Sequence, residues 1–539
     1  LTPADINAPS VGLSLVPLQV KDPHMASSIE ITGGRLRGIS SGPVEAFLGV
    51  AYAMPPIPPR RFMAPRPAAP WAGVREADSF MAQAHQLPLP FLDPALAGDP
   101  AYDATREFHR GVVIGPIAEG EDCLAVNVWT PSTAGRRPVM VWLHGGGFAF
   151  GSGSWGWWTG EDLAANQDVV VVTLNHRLNI FGFLCLAEHD GPAHGMATNA
   201  GMRDIVLALE WVRDNIGAFG GDPGNVTIFG QSGGGMKVTT LMAMPAARGL
   251  FHKAIAQSGP FVRAVPMARA SDAAAQMLDR LGIGPRQLGA LQMVSPSALL
   301  DAFASAHEGA PGVPRQFAPV VDGDSLSRDP FEPGAPPTAS GVPLLIGATG
   351  EEITSLQGFA DPTIFEIRQA GLVGRVAAAC DINPSEAEAL IAAYRAGRPR
   401  ATAAQLYVAI VSDRRFGFGS IQQAERQAAQ APVFAYRLLW QSPVRGGMMG
   451  APHNLDLPMI FGRDRAPGVT GDGTTHHVLA AAMQTAWANF AKSGNPSHAG
   501  LPDWPQYDAQ ARRTMIFDRE CRVTSDPAGA ERRAQGAVR

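Results

Sequence analysis

The chain has 539 residues, with 43 Lys and Arg against 48 Asp and Glu for a formal net charge of −5. At 46% hydrophobic and 17% charged residues it has material for a large core, and no basic stripe of the kind that holds nucleic acid. The longest apolar runs, such as Val169 to Val172, are strand-sized and fall far short of the ~20 residues of a membrane-spanning helix.

Residues 1–24 contain no basic run followed by an apolar core, so they do not read as an intact signal peptide. Two readings stay open for them: a natural arm, or an artificial extension ahead of a natural start at Met25. Length alone would suggest three or four domains. The strand-like blocks argue instead for one domain over residues 25–539, because 139–144, 168–174, 226–229, 253–257, 343–347 and 433–440 are spread along the chain. A single α/β core with long insertions accommodates that spread. The 60 glycines and 46 prolines follow no repeat period and mark many turns and long loops.

The first informative element is the buried-strand pattern Val139 to Leu143, which runs into His144-Gly145-Gly146-Gly147-Phe148. Acyl transfer passes through an intermediate with negative charge on oxygen, and it needs N–H donors aimed at that point. A glycine run lets the backbone come close enough to provide them. His144 fits a part in holding this loop better than one in proton transfer, and His176 reads as a packed side chain. Trp155, Trp157 and Trp158 follow; they either wall a substrate pocket or fill the core.

The next strand, Val226 to Phe229, leads directly into Gly230-Gln231-Ser232-Gly233-Gly234. A G-x-S-x-G sequence in a strand-to-helix turn is a nucleophile elbow, which lifts the serine hydroxyl above the sheet at a helix N-terminus. Lys237 lies one turn into that helix, where its charge opposes the helix dipole, so it is expected to pair with a carboxylate. The segments 267–308 and 363–430 are rich in alanine and leucine and read largely as helices placed over the site. Between them, Pro343 to Gly347 reads as a strand followed by the neighbouring acids Glu351 and Glu352. On an extended segment the two would point to opposite sides, so only one can face the site.

With these motifs in this order, the sequence resembles the type B carboxylesterase and cholinesterase-like family of α/β-hydrolases, from about Ile29 to about Asp526. Gly49-Val-Ala-Tyr52 with Arg61-Phe62 and Trp71, and Glu121-Asp122-Cys123-Leu124 with Asn127-Val-Trp129, are similar to its opening blocks. Asn175-His-Arg177-Leu178, Phe219-Gly220-Gly221-Asp222-Pro223 and Gln257-Ser258-Gly259 continue the series. Asp413 with Phe416 and Phe418 resembles a further block. The resemblance implies an α/β-hydrolase fold: a large, mostly parallel central sheet flanked by helices, with helical insertions over the active site. It implies a triad of Ser232, an acid and His453, the histidine of Gly450-Ala-Pro-His453-Asn-Leu-Asp456. Glu352 aligns with the acid and Glu351 is its rival; the family's usual glycine after the acid is Ile353 here. The resemblance places the oxyanion donors at the N–H groups of Gly146, Gly147 and Gly233, and gives Ser258 a supporting hydrogen bond.

The function so implied is a serine carboxylesterase acting on a small-molecule ester through an acyl-enzyme. A hydrolase of amides or carbamates with the same triad, and a non-catalytic binding protein of the same fold, are the alternatives. No cofactor or metal is required. The His476-His477 pair invites a metal reading, but the sequence places no cysteine or carboxylate cluster beside it. Gln231 stands where many cholinesterase relatives carry glutamate, which weakens the case for a quaternary-ammonium substrate. Of the four cysteines, Cys123 matches one that is bridged in secreted relatives, and its expected partner position is Ala84. An absent bridge fits a soluble bacterial protein of the cytoplasm or periplasm.

Overall fold

The computed structural model describes residues 25–89, 97–112, 118–189, 195–284, 287–305, 316–462 and 464–538, so the arm of residues 1–24 lies outside the described residues. Among the described residues thirteen strands make one sheet. They are β1 (Met25–Ile31), β2 (Gly34–Ser41), β3 (Val44–Ala51), β4 (Val74–Glu76), β5 (Ala125–Thr130), β6 (Arg137–Leu143) and β7 (Val170–Leu174). There follow β8 (Gly221–Gln231), β9 (Lys253–Gln257), β10 (Leu344–Thr349), β11 (Val433–Leu438), β12 (Arg513–Phe517) and β13 (Arg522–Ser525). Their order is β1-β2-β3-β5-β7-β6-β8-β9-β10-β11-β12-β13, with β4 on β2. Every pair from β7 across to β12 is parallel. The pairs outside that run on the main path are antiparallel.

The six blocks read as strands from sequence all lie in the parallel run, as β6 to β11. Parallel strands are covered on both faces, which is why they appear as unbroken apolar runs. Their alternate residues divide between two cores. Val139, Val141 and Leu143 of β6 enter one, with Ile228 of β8 and Ile346 of β10. Met140 and Trp142 enter the other, with Phe229 and Leu345. Helices Ala200–Asn215, Gly233–Ala243 and Met267–Arg280 cover the first face, and Asp456–Phe461 and His477–Ser493 the second.

The two alanine-rich segments are helical where described, as Met267–Arg280 and Pro296–Ser305, then Gln369–Cys380, Pro384–Gly397, Ala403–Ser412 and Phe418–Ala428. The second group has its own apolar cluster around Leu372, Leu390, Tyr394 and Ile410. Two of the sequence blocks prove to be structural clamps. Arg61 is buried and grips both oxygens of Glu121 at 2.6 Å. Arg177 holds buried Asp204 through contacts of 2.6 and 2.9 Å. Removing one partner from a buried pair of this kind costs about 3–5 kcal/mol. All four cysteines are free thiols, and Ala84 lines the same small cavity as Cys123.

Candidate active site

The β8 backbone reverses sharply at Ser232, which has φ 58° and ψ −125° and precedes helix Gly233–Ala243. A non-glycine residue in this region is strained by about 1–3 kcal/mol and persists only where its surroundings impose it. Here the Ser232 N–H donates to the Gln257 carbonyl at 2.8 Å, and its own carbonyl accepts from Met236 N–H. The turn also depends on the missing side chain at Gly234, where a Cβ would stand 1.9 Å from the Leu143 carbonyl oxygen.

Glu352 and His453, 101 residues apart in sequence, meet beside this turn. His453 Nδ1 donates to Glu352 Oε2 at 2.5 Å, and both side chains are buried. A carboxylate only accepts, so Nδ1 carries the proton and Nε2 presents a lone pair. The Thr349 N–H donates to the other oxygen of Glu352 at 2.8 Å, fixing the carboxylate. Glu351 turns away and accepts from the Ala451 N–H at 2.8 Å; burial raises its pKa above the usual carboxylate range.

The divergence of the two acids has a different cause from the extended segment expected. Glu352 has φ −45° and ψ −45° and opens the short helix Ile353–Leu356. That conformation makes no demand for glycine at the next position. Ile353 is instead fully buried in the helical cluster, with its N–H directed to Ser412 Oγ at 3.2 Å. Phe416 packs its ring 5.0 Å from the His453 ring.

In this conformation Ser232 Oγ makes no hydrogen bond among the described residues. The side-chain nitrogen of Gln231 instead stands against the imidazole, 3.1 Å from His453 Nε2 and 3.4 Å from Nδ1. Opposite Ser232, Gly146 and Gly147 have φ 86° and 61°. The N–H groups of Gly146, Gly147 and Gly233 donate to no protein acceptor among the described residues. Gly147 lies so close to helix Gly233–Ala243 that a Cβ on Gly233 would stand 2.2–2.4 Å from its backbone atoms.

Lys237 departs from expectation. It is fully buried, and among the described residues no carboxylate reaches it. Its ammonium donates to the His144 carbonyl at 2.9 Å, so it ties the helix after Ser232 to the start of the glycine run. Burial lowers its pKa to about 7. The His144 and His176 rings stack 5.0 Å apart, each with Nδ1 donating to a nearby backbone carbonyl. Burial, together with the Lys237 charge, holds both well below the usual imidazole range.

The three tryptophans are buried, and each indole N–H is held, by Gln83 Oε1, the Arg110 carbonyl and the Ser152 carbonyl respectively. Ser258 is buried with φ 46°, and its hydroxyl lacks the supporting hydrogen bond expected of it among the described residues. A carboxylate does stand beside the histidine pair: Asp464 Oδ1 lies 3.2 Å from His477 Nε2, and ligand atoms of Asp464, His476 and His477 lie within 4.8 Å of one another. The sequence reading missed Asp464 because the fold brings it in from another turn of the chain.

It also gave no part to Asp456, three residues after His453. Asp456 is fully buried and accepts from Gln257 Nε2 at 2.8 Å and the Tyr436 hydroxyl at 3.2 Å. Burial raises its pKa to about 6. Gln257 is held in turn by the Trp487 indole at 3.0 Å, so the strand end beneath Ser232 and the loop bearing His453 share one polar network. Only the position of Asp456 in the histidine block signalled it.

A mostly parallel sheet covered on both faces, with a serine on a strained strand-to-helix turn, defines an α/β-hydrolase. The family model described as "Carboxylesterase family" matches residues 25–533. The chain is 36% identical to the para-nitrobenzyl esterase of Bacillus subtilis (strain 168), covering 93% of this chain and 96% of the relative. It is 33% identical to the phenmedipham hydrolase of Pseudarthrobacter oxydans, with 91% and 94% covered. Among solved structures, a Geobacillus stearothermophilus carboxylesterase superposes with a TM-score of 0.80 at 37% identity, covering 94% of this chain and 99% of that one. The chain belongs to the carboxylesterase family, whose reaction is the hydrolysis of carboxylic esters.

Proposed function

We propose that this chain hydrolyses small carboxylic esters with Ser232 as nucleophile, His453 as general base and acid, and Glu352 as the group that orients the imidazole. The observation that carries the assignment is the 2.5 Å contact between His453 Nδ1 and Glu352, made beside the strained Ser232 turn. An unassisted serine hydroxyl is a weak nucleophile, so the base is required.

In the reaction Ser232 Oγ turns toward His453 Nε2. The proton passes to Nε2 as Oγ attacks the ester carbonyl. Glu352 stabilises the imidazolium so formed. The N–H groups of Gly146, Gly147 and Gly233 receive the oxyanion. His453 then protonates the leaving alcohol, and water releases the acid from Ser232 by the same route. Among the described residues no helix is long and apolar enough to cross a membrane.

The test is hydrolysis of a p-nitrophenyl acyl ester series by the native enzyme and by Ser232→Ala. Loss of activity in the variant, by at least a thousandfold, is expected. Equal rates in the two proteins would remove Ser232 from the reaction.

A further inference from the structure

The fold completes a set of metal-binding groups that neither of two chain segments holds alone. His476 and His477 stand at the start of helix His477–Ser493, and Asp464 sits on the turn that follows helix Asp456–Phe461. Asp464 Oδ1 lies 3.2 Å from His477 Nε2, and one ligand atom from each of the three residues lies within 4.8 Å of the others. Ligands about 2.0–2.2 Å from a tetrahedral zinc ion stand about 3.3–3.6 Å apart, so a contraction of about 1 Å closes the set.

Both segments are held by contacts of their own. The His477 N–H donates to the Thr474 carbonyl at 3.0 Å, and the His476 carbonyl accepts from the Ala480 N–H at 2.8 Å. The two imidazole rings stand at 84° with centres 4.7 Å apart, and the buried His476 ring lies 5.9 Å from the Trp440 ring. On the other segment the Arg465 N–H donates to the Gly462 carbonyl at 3.0 Å, closing the turn that carries Asp464. Arg465 is the cation next to Asp464 in the chain, and it is neutralised by Glu161 and Asp162 at 3.1 and 3.0 Å.

The donor set selects the ion. Two imidazoles with one carboxylate suit zinc, nickel, copper or iron(II), whereas magnesium and calcium take sites built from oxygen atoms. Three protein ligands leave a coordination position open. Asp464 also lines a groove of about 560 Å³ with Asp162, Asn166 and Gln484, which gives water room to take that position. The positive end of helix His477–Ser493 weighs against a cation by a factor of about two to five in affinity, which is small against the gain from three ligands.

We infer that Asp464, His476 and His477 form a binding site for one divalent transition-metal ion, with zinc as its representative. The ion fastens the start of helix His477–Ser493 to the turn after Asp456–Phe461. Both helices cover the same face of the sheet, so the metal joins two parts of one layer. The site does not depend on the roles given to Ser232, Glu352 and His453.

The experiment strips the untagged full chain with a chelator, removes the chelator, and titrates zinc in competition with a chromophoric chelator. Asp464→Ala and His477→Ala are carried in parallel; the first position is exposed and the second half-buried, so both variants should melt within about 2 °C of the native protein when metal is absent. The expected result is one zinc ion bound with a micromolar Kd, weakened at least tenfold by either substitution. Zinc at about a hundred times Kd should raise the melting temperature of the native protein by about 2 °C, and that of neither variant. Magnesium should bind at least a hundredfold more weakly than zinc. No zinc binding, or native affinity kept in either variant, would overturn the site and leave an ion pair between His477 and Asp464. Binding without the rise in melting temperature would overturn the fastening of the two segments. Magnesium bound as tightly as zinc would overturn the imidazole ligands.

Discussion

The ammonium of Lys237 stands 5.6 Å from the centre of the Phe148 ring, so the side chain that follows Gly147 rests on a buried cation. The same ammonium donates to the backbone of His144, at the start of the glycine run. One side chain from helix Gly233–Ala243 thus touches the Gly145–Gly147 run on both sides.

Such a lysine is costly to the fold, and the cost depends on pH. In the unfolded chain it is charged up to its ordinary value of 10.5, and in the fold only up to about 7. Between these values the unfolded state binds the extra proton, so stability rises with pH from about 7 to 10.5; below 7 the full penalty is present. The interval corresponds to a ceiling of roughly 5 kcal/mol, offset by about 1–3 kcal/mol for the bond to the His144 carbonyl. Lys237→Met should therefore stabilise the protein at pH 6 and lose that advantage toward pH 10, as read by urea unfolding. Its kcat should fall while KM changes little, because the glycine run loses its tie to the helix. A variant that is less stable at both pH values would remove this account of the residue.

The two neighbouring acids can be separated by their amides. Glu352→Gln leaves the hydrogen-bonding shape but removes the acceptor that sets the imidazole tautomer, and should lower kcat by about 10⁴. Glu351→Gln keeps an oxygen for the Ala451 N–H and should stay within about threefold of the native enzyme. Steady-state kinetics on one activated ester decide it, and comparable losses in both would dissolve the distinction.

Gly233 gives a sharper steric test than the rest of the elbow. A methyl group there meets the Gly147 backbone, which must withdraw by more than an ångström. Gly233→Ala should lower kcat by about 10²–10³, the loss expected when an oxyanion donor is displaced, with a smaller change in KM. Native turnover in a folded Gly233→Ala enzyme would mean that the loop moves freely during the reaction.

How much of this was written in the sequence varied with the kind of contact involved. The central strands could be read because residues such as Val170, Val171 and Val172 are buried on either face of the sheet. The outer strands escaped notice: β4 is three exposed residues, and β2 alternates weakly because much of it is only half-buried. Ser232 announced itself through its turn, and His453 through its block. The partner of Lys237 did not, because it is a backbone carbonyl 93 residues away, and a carbonyl leaves no mark in residue types.

The four reduced thiols carry a practical meaning. With Cys123, Cys185, Cys380 and Cys521 all free, no disulfide records the native arrangement once the chain unfolds. Recovery from denaturant therefore needs neither an oxidant nor a shuffling catalyst, and thiol reductants can be present throughout production without touching the fold.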